Sequence, residues 1–198
     1  KMDNDESLWG MEDILNLDTG HRTLYGVDYT EIGTGFGDRI YMDILIQKKL
    51  EGGDISQIVE FGTWTGITSL HLGMSAKVNG LEFHTYDISD MRSEQSLRGW
   101  LDNMFFHEDD ILKFNKGVKK LISKPNTFIF IDNGDKELEF NQYVPYIGRG
   151  SIIIIHDWNT EVNPNHISDI INKYSLESYH WEYAEALGSH CRAWIKTQ

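Results

Sequence analysis

Short apolar runs alternate with segments of helical spacing through the middle and C-terminal parts of the chain. Apolar runs that end at a glycine, asparagine or aspartate are typical of buried parallel strands, because such strands are covered on both faces. Segments whose apolar residues follow a helical repeat are typical of helices packed on a sheet. The pattern predicts strands over residues 58–61, 81–88, 105–107, 126–132 and 151–157.

Helices are predicted between these strands and before the first of them. They are expected over residues 39–50, 67–78, 93–103, 111–123, 136–147 and 166–174. Pro164 stands where the last of these helices can begin, because proline is favoured in a first helical turn. Beyond it, two alternating segments at residues 178–186 and 190–196 are joined by a link short enough for antiparallel pairing.

This order of elements predicts an α/β fold with a doubly wound, mostly parallel sheet that ends in an antiparallel hairpin. A chain of 198 residues is expected to form a single domain. Residues 1–55 are expected to form a helical and loop cap, within which the glycine- and aromatic-rich residues 25–38 form a long loop or flap. Residues 56–198 are expected to form the core that contains the sheet.

The chain is acidic, since 18 lysine and arginine residues stand against 31 aspartate and glutamate residues, for a formal net charge of −13. Such a charge repels phosphate backbones, so nucleic acid is not expected as a partner. The longest strongly apolar run, residues 152–155, is far too short to span a bilayer, and no signal peptide is visible. No membrane partner is therefore expected, and the protein is expected to be cytoplasmic. The one cysteine, Cys191, excludes an intramolecular disulfide and a multi-cysteine metal site.

A candidate cofactor-binding turn follows the strand at residues 58–61, in the sequence Glu-Phe-Gly-Thr-Trp-Thr-Gly. Glycine at Gly62 and Gly66 permits positive φ and lets a ligand approach the backbone, although an ordinary turn without a ligand fits the two glycines equally well. Dinucleotide-binding enzymes use a Gly-x-Gly-x-x-Gly pattern, whose middle glycine this chain lacks. The Glu-x-Gly-x-x-x-Gly pattern resembles motif I of the class I S-adenosylmethionine (SAM)-dependent methyltransferases. The five strand–helix units with a terminal hairpin resemble the Rossmann-like, seven-stranded sheet of that class.

Acidic residues also follow the neighbouring predicted strands, where the ligands of an open parallel sheet collect. Asp87 can accept hydrogen bonds from both ribose hydroxyls of an adenosyl group, because a carboxylate has two acceptor oxygens. Asp109 or Asp110 suits the adenine amino group, and Tyr86 or Ile88 can cover the adenine ring. SAM carries a sulfonium and an ammonium but no phosphate, so an acid-rich pocket suits it. The predicted cofactor-binding residues are Glu60, Gly62, Thr63, Trp64, Gly66, Asp87, Ile88, Asp109, Asp110 and Asp132.

A second polar group follows the next two predicted strands. Asp132 and Asp157 are expected side by side on adjacent strands, and two carboxylates repel unless one is protonated or a cation lies between them. A hard divalent ion such as Mg²⁺ can bind both carboxylates and remove this repulsion. The surrounding sequence is similar to the metal-dependent small-molecule O-methyltransferases of the catechol O-methyltransferase type, and more closely to the macrocin O-methyltransferase and cephalosporin-hydroxylase-like group. This resemblance implies that Asp132 and Asp157 are metal ligands.

The chain departs from these families at two positions. Trp158 stands where their third metal ligand would be, unless Asn159 or Asp135 replaces it. Where the catechol type has a lysine that acts as the base, this chain has Asp135, and a lysine follows one position later at Lys136. Lys136, Asp135 and His156 are candidates for the base, while His156 can equally be a buried structural histidine. The predicted catalytic residues are Asp132, Lys136 and His156.

Together these features predict a SAM-dependent methyltransferase that O-methylates a small hydroxylated molecule, such as a sugar or a secondary metabolite, with or without Mg²⁺. The small-molecule acceptor is the expected partner, and self-association into a homo-oligomer is left open. Two alternatives remain: a methyltransferase-fold protein that binds without catalysis, and an NAD(P)-dependent oxidoreductase, which the missing glycine disfavours.

Overall fold

The computed structural model of the protein describes residues 23–24, 27–28, 34–92, 102–113 and 115–198. The chain divides into two compact units, Lys1–Ile32 and Gly33–Gln198. In the first unit, the short strands β1 (Thr23–Leu24) and β2 (Val27–Asp28) pair antiparallel. The helix predicted over residues 93–103 lies outside the described residues except for a turn at its end, and so does most of the loop predicted over residues 25–38. A single domain with an N-terminal cap stays a prediction.

The second unit is built on a seven-stranded sheet. Its strands are β3 (Gln57–Phe61), β4 (Glu82–Asp87), β5 (Met104–Glu108), β6 (Thr127–Ile131), β7 (Ile152–Ile155), β8 (Leu176–Ser178) and β9 (Arg192–Lys196). They lie in the order β5-β4-β3-β6-β7-β9-β8, and β3 to β7 run parallel to one another. β9 lies antiparallel between β7 and β8. The predicted doubly wound, mostly parallel sheet with an antiparallel C-terminal end is confirmed.

Helices cover both faces of this sheet. They are α1 (Phe36–Gly52), α2 (Ile67–Val78), α3 (Lys116–Ile122), α4 (Lys136–Tyr143), α5 (Pro164–Lys173) and α6 (Trp181–Ala186), with a 3₁₀ turn at Val144–Tyr146. Successive strand residues point to opposite faces, so Ile58 packs in the core on the side of α1 and α2, while Phe61 packs on the side of α3, α4 and α5. Within the described part of the chain, no helix is both long and apolar enough to cross a membrane.

The C-terminal segment differs from its prediction in one element. The strand predicted over residues 178–186 is wrong, because the chain forms α6 there. His180 adopts a left-handed conformation with a φ of 53°, which turns the chain out of the sheet, and Ala184 is fully buried in the core. The alanines of this segment favour a helix, which outweighs the short apolar alternation. β9 pairs antiparallel with β8, which ends where the predicted strand begins.

Two helices are shorter than predicted. α3 begins only at Lys116, because the side chain of Asn115 accepts hydrogen bonds from two amides of its first turn. The residues before it form a turn in which Ile111 is buried. α4 ends at Tyr143 and continues as the 3₁₀ turn, since Pro145 has no N–H to extend an α-helix.

Candidate functional site

The glycine turn between β3 and α2 is tightly packed. Gly62 and Gly66 have φ values of 99° and 88°, in the left-handed region that favours glycine. A side chain at Gly62 would collide with the backbone carbonyl of Asp132, while the Gly62 amide donates to the Tyr86 carbonyl at 2.9 Å. Gly62 is therefore required by the packing of β3 between β4 and β6, in addition to any role in ligand approach.

Glu60 is a fully buried acid in β3. The hydroxyls of Ser69 and Thr85 donate to its Oε2 atom, the second at 2.6 Å. Its Oε1 atom is buried and has no hydrogen-bond partner among the described residues. Burial raises the pKa of Glu60 to about 8, although the two hydroxyls act in the opposite direction. A buried oxygen without a partner is costly, so Oε1 is a candidate contact for a polar or cationic ligand.

Asp87 ends β4 and is held against the glycine turn. The Trp64 amide donates to its Oδ2 atom at 2.7 Å, and the Ser89 amide donates to its Oδ1 atom at 3.4 Å. Thr63 shares a hydrogen bond of 2.5 Å with Thr85 at the same end of the sheet. Each carboxylate oxygen has a further acceptor site, so Asp87 can still accept from ligand hydroxyls. The structure thus brings Thr63, Trp64 and Asp87 together.

Apolar side chains are exposed beside Asp87. Ile88 is 65% exposed and Trp64 is 48% exposed. Trp64 also has a positive φ of 42°. These two side chains offer apolar surface against which an aromatic ring beside Asp87 could pack.

The two acidic candidates after β5 differ in their surroundings. The Asp109 amide donates to the Asp87 carbonyl at 2.7 Å, so Asp109 lies next to Asp87 at the same edge of the sheet. Burial raises the pKa of Tyr86 to about 12, and the negative charge of Asp109 contributes to that rise. Asp110 pairs with Lys113 at 3.1 Å within a local turn. Asp109 is therefore the better placed of the two for a ligand near Asp87.

Side chains after β6 and β7 form a second cluster. Ligand atoms of Asp132, His156 and Asp157 all lie within 4.8 Å of one another, so the two predicted carboxylates do meet. The Lys136 Nζ atom lies 2.9 Å from Asp157, 3.5 Å from Asp132 and 2.7 Å from Glu161. The His156 Nδ1 atom lies 3.1 Å from Asp132 and 3.2 Å from Asp157. Two cationic side chains of the protein thus lie between the aspartates.

Both of these side chains are held in their protonated forms. Burial alone would lower the pKa of His156, but hydrogen bonds to Asp132 and Asp38 outweigh burial and raise the pKa to about 10. Burial would likewise lower the pKa of Lys136, but hydrogen bonds to Glu161 and Asp157 raise it above its ordinary value. At neutral pH, Lys136 and His156 therefore act as hydrogen-bond donors in this cluster rather than as proton acceptors.

Asp38 belongs to this cluster, although it is not among the site residues predicted from the sequence. Its carboxylate lies 3.3 Å from the Nε2 atom of His156. It also accepts hydrogen bonds from the Gly35 amide, the Ser189 hydroxyl and the His190 amide. Burial would raise the pKa of Asp38, but the hydrogen bonds to His156 and Ser189 lower it well below its usual range. An acid in a first helical turn is a capping signal that could have marked this residue.

The residues present do not fit a Mg²⁺ ion. Trp158, at the position of the expected third ligand, packs against two other tryptophans. Asp135 caps α4 by accepting from an amide of its first turn, and Asn159 is exposed in a turn with a φ of 64°. The ammonium of Lys136 lies between the two aspartates, where Mg²⁺ would need oxygen ligands at about 2.1 Å in octahedral geometry.

A polar cleft of about 340 Å³ opens beside Lys136. It lies between the start of α4 and the segment that joins β7 to α5, and its lining includes Lys136, Glu137, Glu161, Asn163 and His166. The Glu137 carboxylate lies 2.7 Å from the Nδ1 atom of His166. Because each of these side chains carries hydrogen-bonding groups, the cleft suits a small polar molecule better than an apolar one.

No family model and no curated protein matches the chain with significance. Solved structures do match it. The carbon methyltransferase CurJ has a TM-score of 0.58 at 12% identity, over 81% of this chain and 54% of CurJ. The plantazolicin methyltransferase BpumL, solved with a monoazolic desmethylPZN analog and SAH, has a TM-score of 0.58 at 14% identity, over 82% of this chain and 85% of BpumL.

A SAM-dependent O-methyltransferase from Thermotoga maritima has a TM-score of 0.50 at 12% identity, over 86% of this chain and 58% of that protein. The chain thus spans little more than half the length of CurJ and of the Thermotoga protein. The identities are low, so the likeness concerns the fold alone. The chain thus shares the Rossmann-like fold of these solved methyltransferases.

Proposed function

We propose that this protein binds SAM at the glycine turn and methylates a hydroxyl group of a small polar molecule. The observation that carries the proposal is the buried Oε1 atom of Glu60, which has no partner among the described residues, in the strand that leads into the turn. A second carboxylate, Asp87, is fixed at the end of the adjacent strand. The structural neighbours support the same cofactor, since BpumL was solved with SAH.

The residues around the turn fit the charges of the cofactor. SAM carries a sulfonium and an ammonium, and when bound it supplies an electrophilic methyl group. Glu60 offers a carboxyl oxygen to a cationic group, and Asp87 offers acceptors to the ribose hydroxyls. Trp64 and Ile88 offer apolar surface for an adenine ring, and Asp109 an acceptor for its amino group. No phosphate-binding arrangement is needed, unlike in the NAD(P)-dependent alternative.

The polar cleft beside Lys136 is the proposed acceptor site. Its lining residue Lys136 pairs with Asp132 and Asp157, which are acceptor-only groups when ionised and can orient a substrate hydroxyl through its proton. Its hydrogen-bonding lining suits a sugar or another hydroxylated metabolite. O-methylation of such a molecule is the activity that these groups support best.

Titration calorimetry with SAM tests the cofactor assignment. We expect the wild-type protein to bind SAM, and Asp87→Asn to bind it about tenfold more weakly, because one charged partner of the ribose hydroxyls is lost. Glu82→Gln is the matched control, since Glu82 is an exposed acid at the opposite end of the same strand. Absence of SAM binding by the wild-type protein contradicts the proposal, and so does an equal loss in both variants.

A binding protein without catalysis is the second candidate. The observation in its favour is that two of the predicted base candidates, Lys136 and His156, are held protonated between carboxylates. The methyltransferase and the binding protein differ in whether they turn SAM over. Formation of SAH from SAM in the presence of a panel of sugars and phenols supports the methyltransferase. SAM binding with no SAH formed from any hydroxylated acceptor supports the binding protein.

A further inference from the structure

We propose that Lys136 takes the place of the divalent metal ion, so that the acceptor site works with a cation of its own chain. This inference rests on the proposed function of the same cleft. The need for a positive charge arises because Asp132 and Asp157 follow the adjacent parallel strands β6 and β7 and would otherwise repel each other. The structure meets that need with the ammonium of Lys136, beside the imidazole of His156.

The position of Lys136 follows from the start of α4. Asp135 caps this helix, so Lys136 is its first residue and lies directly above the ends of β6 and β7. Its side chain is only 7% exposed, and its Nζ atom lies within 3.5 Å of three carboxylates. An ammonium has three N–H groups and no acceptor, which matches a site of three carboxylates.

The chain after β7 completes the site around the ammonium. Asp157 has a φ of 57°, and its carbonyl accepts from the amides of residues 160, 161 and 162, which closes a tight turn. That turn brings Glu161 back to Lys136 at 2.7 Å. The third carboxylate therefore comes from a local turn of the chain, which a chance surface pair would not require.

A metal ion and this ammonium exclude each other. Mg²⁺ bound to Asp132 and Asp157 would lie at about 2.1 Å from their oxygens. The Nζ atom of Lys136 lies 2.9 Å and 3.5 Å from oxygens of the same two groups, so both cations would occupy one small space with like charge. Either the lysine or the ion can neutralise the pair.

Lys136 is also placed to meet the acceptor. Glu161 is its most exposed partner, with 63% of the side chain accessible, whereas Asp132 and Asp157 are 15% and 22% exposed. An acceptor oxygen that enters the cleft can replace Glu161 as the third partner of the ammonium. A positively charged donor held at this point favours an oxygen on which negative charge develops.

Calorimetric titration with Mg²⁺ tests this inference on the whole chain. We expect the wild-type protein to show no saturable Mg²⁺ binding, and its SAM affinity to be the same in EDTA and in Mg²⁺. Lys136→Met keeps the bulk of the side chain but removes its charge, so Glu161 loses its cation. Asp132 and Asp157 then keep only His156 as a cationic partner among the described residues. We expect this variant to bind Mg²⁺ at least about tenfold more tightly than the wild-type protein.

Two further variants separate the cation site from general effects. Lys113→Met removes a lysine that pairs with the single carboxylate Asp110, and we expect no gain of Mg²⁺ binding. Lys136→Arg keeps the charge, and we expect it to exclude Mg²⁺ as the wild-type protein does. Saturable Mg²⁺ binding by the wild-type protein overturns the inference, and this result does not depend on the folding of any variant. A folded Lys136→Met variant that gains no Mg²⁺ binding overturns it as well.

The SAM titration tests the proposed function, and the Mg²⁺ titration tests the inference about Lys136, so either proposal can be refuted without the other. A protein that binds no SAM refutes the proposed function, while the Mg²⁺ result still reports on the ammonium site. A protein that binds SAM and also binds Mg²⁺ in the wild-type form refutes the inference about Lys136 alone.

Discussion

The Oδ2 atom of Asp38 lies 3.3 Å from the Nε2 atom of His156, across 118 positions of the chain. Asp38 stands in the first turn of α1, and His156 directly follows β7. The other ring nitrogen of His156 faces Asp132 and Asp157. The imidazole therefore connects Asp38 at the start of α1 with Asp132 and Asp157.

Replacement of Asp38 by alanine is expected to destabilise the protein strongly. Asp38 is 4% exposed, and its carboxylate contacts His156, the Ser189 hydroxyl and two backbone amides. Its loss leaves a buried imidazolium with one partner fewer. We expect Asp38→Ala to lower the free energy of unfolding by about 3–5 kcal/mol in urea denaturation at neutral pH. Asp169→Ala, on the exposed side of α5, is the control. Equal stability of the two variants contradicts the role given to Asp38.

Replacement of Gly62 by alanine tests the packing of the glycine turn. Gly80 also has a positive φ, of 69°, but a side chain there meets open space, whereas one at Gly62 meets the carbonyl of Asp132. We expect Gly80→Ala to cost about 1–2 kcal/mol of unfolding free energy for the backbone conformation alone. Gly62→Ala should cost roughly 1–3 kcal/mol more, because of the collision. Urea denaturation of both variants measures the difference in unfolding free energy. A difference near zero contradicts the collision at Gly62.

The buried acid Glu139 is expected to make stability depend on pH. It is fully buried in α4, and burial raises its pKa to about 8. Between its ordinary pKa of 4.5 and this raised value, the folded state holds a proton that the unfolded state has released. The free energy of unfolding therefore falls as the pH rises through this window.

Glu139→Gln keeps the shape of the side chain and cannot ionise. We expect the decrease in unfolding free energy between about pH 5 and pH 8 to be smaller in this variant by about 2 kcal/mol. Urea denaturation at several pH values measures this, with Glu185→Gln on the exposed side of α6 as the control. A decrease as steep as that of the wild-type protein shows that Glu139 is not the titrating group.

The five parallel strands and the edge that carries the site were predictable from the sequence. Strands covered on both faces have apolar sequences, so runs such as residues 58–61 and 126–132 mark β3 and β6 without reference to their partners. Parallel strands also end at a common edge, which is why acids that follow them, Asp87 and Asp132, lie on that edge of the sheet. These inferences depend only on local sequence and on a general property of parallel sheets.

The cation at Asp132 and Asp157 was not predictable in the same way. The sequence shows that two neighbouring carboxylates need a positive charge, but a metal ion and a lysine can neutralise them equally well. Which of them is present depends on where α4 begins and on the direction of its first side chain, Lys136. The contact between Asp38 and His156 is likewise set by tertiary packing, since neither residue's neighbours in sequence point to the other.

The place of β9 determines how β8 is held in the sheet. β8 precedes β9 along the chain, yet β9 is its neighbour in the sheet and separates it from β7. Among the described strands, β8 is therefore joined to the rest of the sheet only through β9. Any change that releases β9 from β7 should therefore detach β8 from the parallel strands as well.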